Sequence, residues 1–137
     1  GTEQAEHFIN AVGEDLSGRL IPAVEVRLRG LYRLLPPDYY EAADNLADFC
    51  DRIEKQYGVR PVIYCTERTY KNIVASDSRF NKDKIWYESL FSKPEEDMDW
   101  TFWTYTNRVK FSFYESGEYL HMTVFNGSED DFKKFII

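Results

Sequence analysis

Tyr57-Gly-Val-Arg-Pro-Val-Ile-Tyr-Cys-Thr66 is the stretch that decides the fold class. Gly58 is a helix stop, since a glycine accepts the left-handed conformation that ends many helices. Val59 to Cys65 follows as a compact strand. Thr66 is an N-cap that opens a second helix, running to about Ala75. A helix, a buried strand and a helix joined by such short links are the repeating unit of a sheet with parallel strands.

Upstream, Ala42, Leu46, Phe49, Ile53 and Tyr57 form the inward stripe of a long helix. Pro36-Pro37 break the chain before it, and Asp38 with Glu41 three residues later makes a capping-box-like start. Earlier still, Leu20-Ile-Pro-Ala-Val-Glu-Val26, flanked by Gly18 and Gly30, reads as another buried strand; Glu25 and Arg27, two apart, share one of its faces. Ala5, Phe8, Ile9 and Val12 give residues 3–12 a helical stripe that ends at Gly13.

Downstream, Lys84–Tyr87 and Trp100–Tyr105 are strand candidates separated by a polar loop with Pro94, Glu95 and Glu96. Val109–Tyr114 and Tyr119–Phe125 alternate about Glu115-Ser-Gly-Glu118 and predict a hairpin. Asn126-Gly127 turns the chain, and Ser128 caps a last short helix carrying Phe132 and Phe135. The fold class is α/β, and one domain over residues 1–137 is expected.

The 137 residues, 43% hydrophobic and 17% aromatic, suffice for one core. With 24 acidic against 17 basic residues the net charge is −7, which argues against a nucleic-acid surface. The nearest basic cluster, Arg27, Arg29 and Arg33, is interleaved with leucines and reads as a solvated or ion-paired face. No apolar run is long enough to cross a bilayer, and the N-terminus lacks signal-peptide order. Cys50 and Cys65 are too few and too ill-spaced for a zinc site. Both sit in apolar patterns, so buried free thiols are the default, with a single bridge between helix and following strand as the alternative.

Six segments in this order resemble the family 25 glycoside hydrolases, muramidases that cleave bacterial peptidoglycan. Gln4-Ala-Glu-His-Phe8 is similar to the helix before the family's fourth barrel strand, and Ile21-Pro-Ala-Val-Glu-Val-Arg27 to that strand. Tyr57–Tyr64 resembles the fifth strand with its lead-in, Ile85-Trp86 the sixth, Thr101–Tyr105 the seventh and Tyr119–Gly127 the eighth. The resemblance implies a partial TIM-type (β/α) barrel covering strands four to eight of a family 25 lysozyme fold. It also implies peptidoglycan or a related glycan as partner, a secreted or cell-surface location, and no metal or organic cofactor.

The departures fall on the family's catalytic positions. Where the fourth strand of the family ends in Asp-x-Glu, this chain has Glu25 and Arg27; where the eighth carries an Asp two residues before an Asn, it has His121 and Thr123. The seventh strand's usual Trp-Gln-Tyr is Trp103-Thr104-Tyr105. Glycoside hydrolysis needs a protonated acid at the leaving oxygen. Arg27, at the acid's position, has no proton to give at neutral pH, and pairing with it favours the charged form of Glu25. Glu25, Arg27 and His121 are thus expected at the family's catalytic positions but without catalytic function, His121 as a hydrogen-bonded strand-end residue. Glu67, Glu115 and Glu118 are read as solvated. Tyr64, Trp86, Trp103 and Tyr105 are the candidate substrate-binding residues, on strands whose ends should line the barrel mouth, with core packing as the competing explanation for each.

The resemblance begins just before the fourth strand. An arc of strands four to eight has two open edges and an exposed apolar inner face, so self-association as a homodimer is expected to close it, with cover by the N-terminal helix and the arginine-rich loop as the alternative. A lysozyme-like module without hydrolysis, binding a glycan or a protein partner, is the favoured function; a muramidase with a rearranged site and a purely structural role are the alternatives.

Overall fold

The computed structural model describes residues 1–28, 38–112 and 118–137. The elements are α1 (Thr2–Val12), β1 (Ala23–Glu25), α2 (Tyr39–Tyr57), β2 (Val62–Thr66), α3 (Glu67–Thr69), β3 (Ile85–Glu88), β4 (Phe102–Val109), β5 (Leu120–Phe125) and α4 (Glu129–Lys133). The strands form one sheet in the order β1-β2-β3-β4-β5. β1 to β4 run parallel and β5 returns antiparallel to β4.

The long helix α2 starts and stops where its sequence dictates. The Asp38 carboxylate accepts from the Glu41 amide at 2.9 Å, and Gly58 ends the helix at φ 74°, its amide donating to the Glu54 carbonyl at 2.8 Å. Its buried face is wider than a single stripe because it packs against two partners. Ala43, Leu46, Ala47 and Cys50 meet Ile63, Cys65, Ile85 and Tyr87 of the sheet, whereas Ile53, with Phe49 and Tyr57, meets Ala5, Phe8 and Ile9 of α1. Burying a side chain such as Ile53 completely contributes about 1.5–3 kcal/mol.

Several boundaries differ from the sequence expectation. β1 is shorter than residues 20–26 because Leu20 and Ile21 pair elsewhere: Leu20 bridges Ile136, and the Ile21 amide donates to the Phe135 carbonyl at 2.7 Å. β2 begins after Pro61, which has no amide hydrogen for the ladder. The helix opened by Thr66 continues as a π-helical turn over Tyr70–Val74. The expected hairpin of Val109–Tyr114 with Tyr119–Phe125 is replaced by one between β4 and β5. Residues 102–109 form a single strand with irregular register after Thr104, and Phe102 faces Phe125. Residues 113–117 of that expectation, Glu115 among them, lie outside the described residues, as do Arg29, Gly30, Arg33 and Pro36-Pro37.

Both cysteines are free and buried, so the bridge alternative is not formed. Burial pushes each thiol up to about 12, with the nearby Asp83 charge adding to the effect at Cys50. Among the described residues no helix is long and apolar enough to cross a membrane.

Candidate functional site at the strand ends

The sheet's two faces differ in chemistry. Ile63, Cys65, Ile85 and Tyr87 point to α2 and form the main core. The alternate residues point the other way, into what would be a barrel interior. There the register aligns Glu25, Tyr64, Trp86, Phe102 and Phe125 in one row across the five strands. Ring centroids are 5.2 Å apart for Tyr64–Trp86 and 5.3 Å for both Trp86–Phe102 and Phe102–Phe125. Phe132 and Phe135 cover the lower part of this face, leaving an apolar cavity of about 320 Å³.

One step toward the C-terminal ends of the parallel strands the row turns polar: Thr66, Glu88, Thr104 and Thr123. The Trp86 indole donates to the Thr104 hydroxyl at 2.8 Å, which is also 2.8 Å from the Thr123 hydroxyl. The Tyr64 hydroxyl donates to the Glu88 carboxylate. Burial is the main reason the Tyr64 phenol is pushed well above its ordinary range, reinforced by that hydrogen bond and by the charges of Glu88 and Glu25. A cavity of about 150 Å³ at this end is lined by Glu25, Arg27, Tyr64, Thr66, Arg68 and Glu88, among others.

Glu25 and Arg27 are ion-paired there, the guanidinium Nε donating to Oε1 at 2.8 Å. Both are partly exposed. The His121 imidazole is exposed on β5, with no hydrogen-bond partner among the described residues in place of the hydrogen bond expected. Trp103 and Tyr105 lie on the opposite face from Tyr64 and Trp86. Trp103 packs on the helix-side core, and its indole donates to the Ser89 carbonyl at 3.0 Å; the Tyr105 ring lies beside it, tilted by 58°, with centroids 5.8 Å apart. The structure thus brings Glu25, Arg27, Tyr64 and Trp86 together and separates them from Trp103 and Tyr105.

Glu88 was missed by sequence reasoning that ended the strand at Tyr87. Its signal was parity: two residues beyond Trp86 on one strand, it must share that side chain's face. Glu67 is exposed and paired with Lys71 at 2.8 Å. Among the described residues no group of three His, Cys, Asp or Glu side chains could hold a metal ion.

A partly closed, mostly parallel sheet with helices on one face, carboxylates and aromatics on the other, and polar groups at the C-terminal strand ends is the arrangement of part of a (β/α) barrel, whose ligand sites lie at that end of the strands. The model of the glycosyl hydrolases family 25 matches residues 1–112, and the chain belongs to that family. A family 25 glycosyl hydrolase from Bacillus anthracis superposes with a TM-score of 0.81 at 29% identity, covering 98% of this chain and 62% of its own. The bacterial lysozyme from Streptomyces coelicolor superposes at 0.73 with 22% identity, covering 98% and 65%. The family GH25 lysozyme from Aspergillus fumigatus also superposes at 0.73, with 17% identity, covering 98% and 66%. The chain therefore spans about two thirds or less of the length of these relatives. No curated protein matches it.

Proposed function

We propose that this domain holds a peptidoglycan-type glycan at the C-terminal ends of its strands without cleaving it. The observation that carries this reading is the Glu25–Arg27 ion pair, formed at the two positions where the family resemblance expects the catalytic Asp and Glu. A guanidinium cannot protonate a leaving oxygen, and a carboxylate engaged by it serves as an acceptor instead. Glu88 is likewise an acceptor, from the Tyr64 hydroxyl. Carboxylates, a phenol and threonine hydroxyls beside an aromatic row suit sugar hydroxyls and ring faces.

The test sets binding against turnover on one preparation. The full chain should co-sediment with purified insoluble peptidoglycan while releasing no new reducing ends. Release of reducing ends that disappears in Glu25→Gln or Glu88→Gln would establish the second reading, an N-acetylmuramidase with a rearranged site, which Glu88 on the inner face favours. His121, exposed and without a carboxylate partner among the described residues, is a weaker candidate for that site.

The same reading includes cover for the edges of β1 and β5, by a second copy in a two-fold pairing or by further strands of the same barrel. Light scattering at tens of micromolar separates the two: a clean monomer removes the homodimer.

A further inference from the structure

We propose that the groove between α3 and the loop following β3 is a second glycan subsite, with Phe91 as its stacking platform and Arg68 as its contact for a sugar carboxylate. This rests on the binding reading above and extends the ligand beyond the strand-end cavity. Phe91 is 99% exposed, an apolar ring left entirely in water. It borders a groove of about 480 Å³, within the range of small-ligand sites, whose other lining residues include Thr66, Arg68, Asn72, Glu88 and Ser89.

The groove and the strand-end cavity share Thr66, Arg68 and Glu88, so they adjoin each other along these three residues. Two adjoining sites of this kind suit an extended chain of sugars better than a single ring. An aromatic ring at its outer end offers the flat apolar face on which a sugar ring stacks.

Arg68 stands at the junction. Its Nε and one terminal nitrogen donate to the Tyr39 hydroxyl, at 3.4 and 3.2 Å. Arg27, Arg52, Arg60 and Arg79 all have carboxylate partners. Among the described residues none lies within ion-pair distance of Arg68. A planar guanidinium held by one neutral hydroxyl, with further N–H groups directed elsewhere, matches a carboxylate in a two-point contact. The ligand class is thus a β-linked oligosaccharide bearing carboxylates.

The experiment is isothermal titration of the full chain with chitobiose, chitotetraose and a tetrasaccharide of alternating N-acetylglucosamine and N-acetylmuramic acid with free lactyl carboxylates. The wild type should bind the tetrasaccharides more tightly than chitobiose, and the carboxylated one best. Phe91→Ala should weaken both tetrasaccharides about three- to tenfold and leave chitobiose unchanged. Arg68→Gln should weaken the carboxylated one about tenfold more than it weakens chitotetraose. Both side chains are exposed, and circular dichroism should confirm that both variants fold. If the wild type binds chitotetraose and both variants match it on every ligand, the subsite is wrong while the binding reading stands. If the wild type binds none of the sugars and no peptidoglycan, the binding reading fails and takes the subsite with it.

Discussion

Thr104→Val removes the hydroxyl that joins β3 to β5 without changing side-chain volume appreciably. Thr104 is 1% exposed and its hydroxyl lies 2.8 Å from both the Trp86 indole nitrogen and the Thr123 hydroxyl. The substitution leaves the indole N–H, in a partly buried position, without its acceptor, and deletes a second hydrogen bond. An orphaned donor in this partly buried position costs about 1–2 kcal/mol and a lost neutral hydrogen bond about 1 kcal/mol, so a destabilisation of roughly 2–3 kcal/mol follows. For a chain of this size that corresponds to a drop in melting temperature on the order of 6–12 °C. Thr123→Val is the control. Thr123 is exposed, so water can replace what it loses, and its cost should stay below about 1 kcal/mol. Urea unfolding followed by tryptophan fluorescence measures both, and the Thr104→Val spectrum should also report a less constrained Trp86. Equal, near-zero shifts for the two variants would refute the claim that this hydroxyl pair ties the antiparallel strand to the parallel ones.

Gly58→Ala forces a side chain into a left-handed cap at φ 74° and should cost about 1 kcal/mol in urea unfolding, although nothing crowds the added Cβ. Cys50 and Cys65, with thiols pushed up to about 12 by burial, should resist a thiol reagent at pH 8 in the native state and both react once the chain is unfolded; rapid native labelling would contradict their burial. The Asp131 carboxyl is held well below its ordinary range, first by Lys134 and then by Ser128, whose hydroxyl and amide it caps. Because its folded value is depressed, its contribution is complete above the unfolded carboxyl's titration near pH 4 and fades as the pH falls toward the folded value. The protection factors of α4 amides, taken against the intrinsic exchange rate at each pH, should fall in that acidic window, and Asp131→Asn should flatten the change.

Local chemistry made much of the fold legible. Asp38 and Gly58 bound α2 by capping geometry that needs only neighbouring residues, and the apolar run into Cys65 between two helices could only be a buried strand. Leu20 and Ile21 were misread as part of β1 because their partners are the last residues of the chain, a pairing that no local pattern encodes. The hairpin was misplaced for the same reason: β4 is apolar or amphipathic throughout, and its partner is chosen by the Phe102–Phe125 contact.

The site divides along the same line. Alternation within a strand places Glu25 with Arg27 on one face, and their ion pair was readable from two residue types and one spacing. Which face of a strand buried on both sides meets the helices is not written in its own alternation, since both sets of side chains are apolar. Only packing against α2 turned Trp103 and Tyr105 outward and Trp86 inward, and only the register of two parallel strands, β2 and β3, brought Glu88 to the Tyr64 hydroxyl. The sequence by itself determined the caps, the strand order of residue types and the charge reversal at Arg27, because these depend on neighbours along the chain. The tertiary structure decided which side chains share a site, because long-range pairing sets how strands align and which face they turn to the helices.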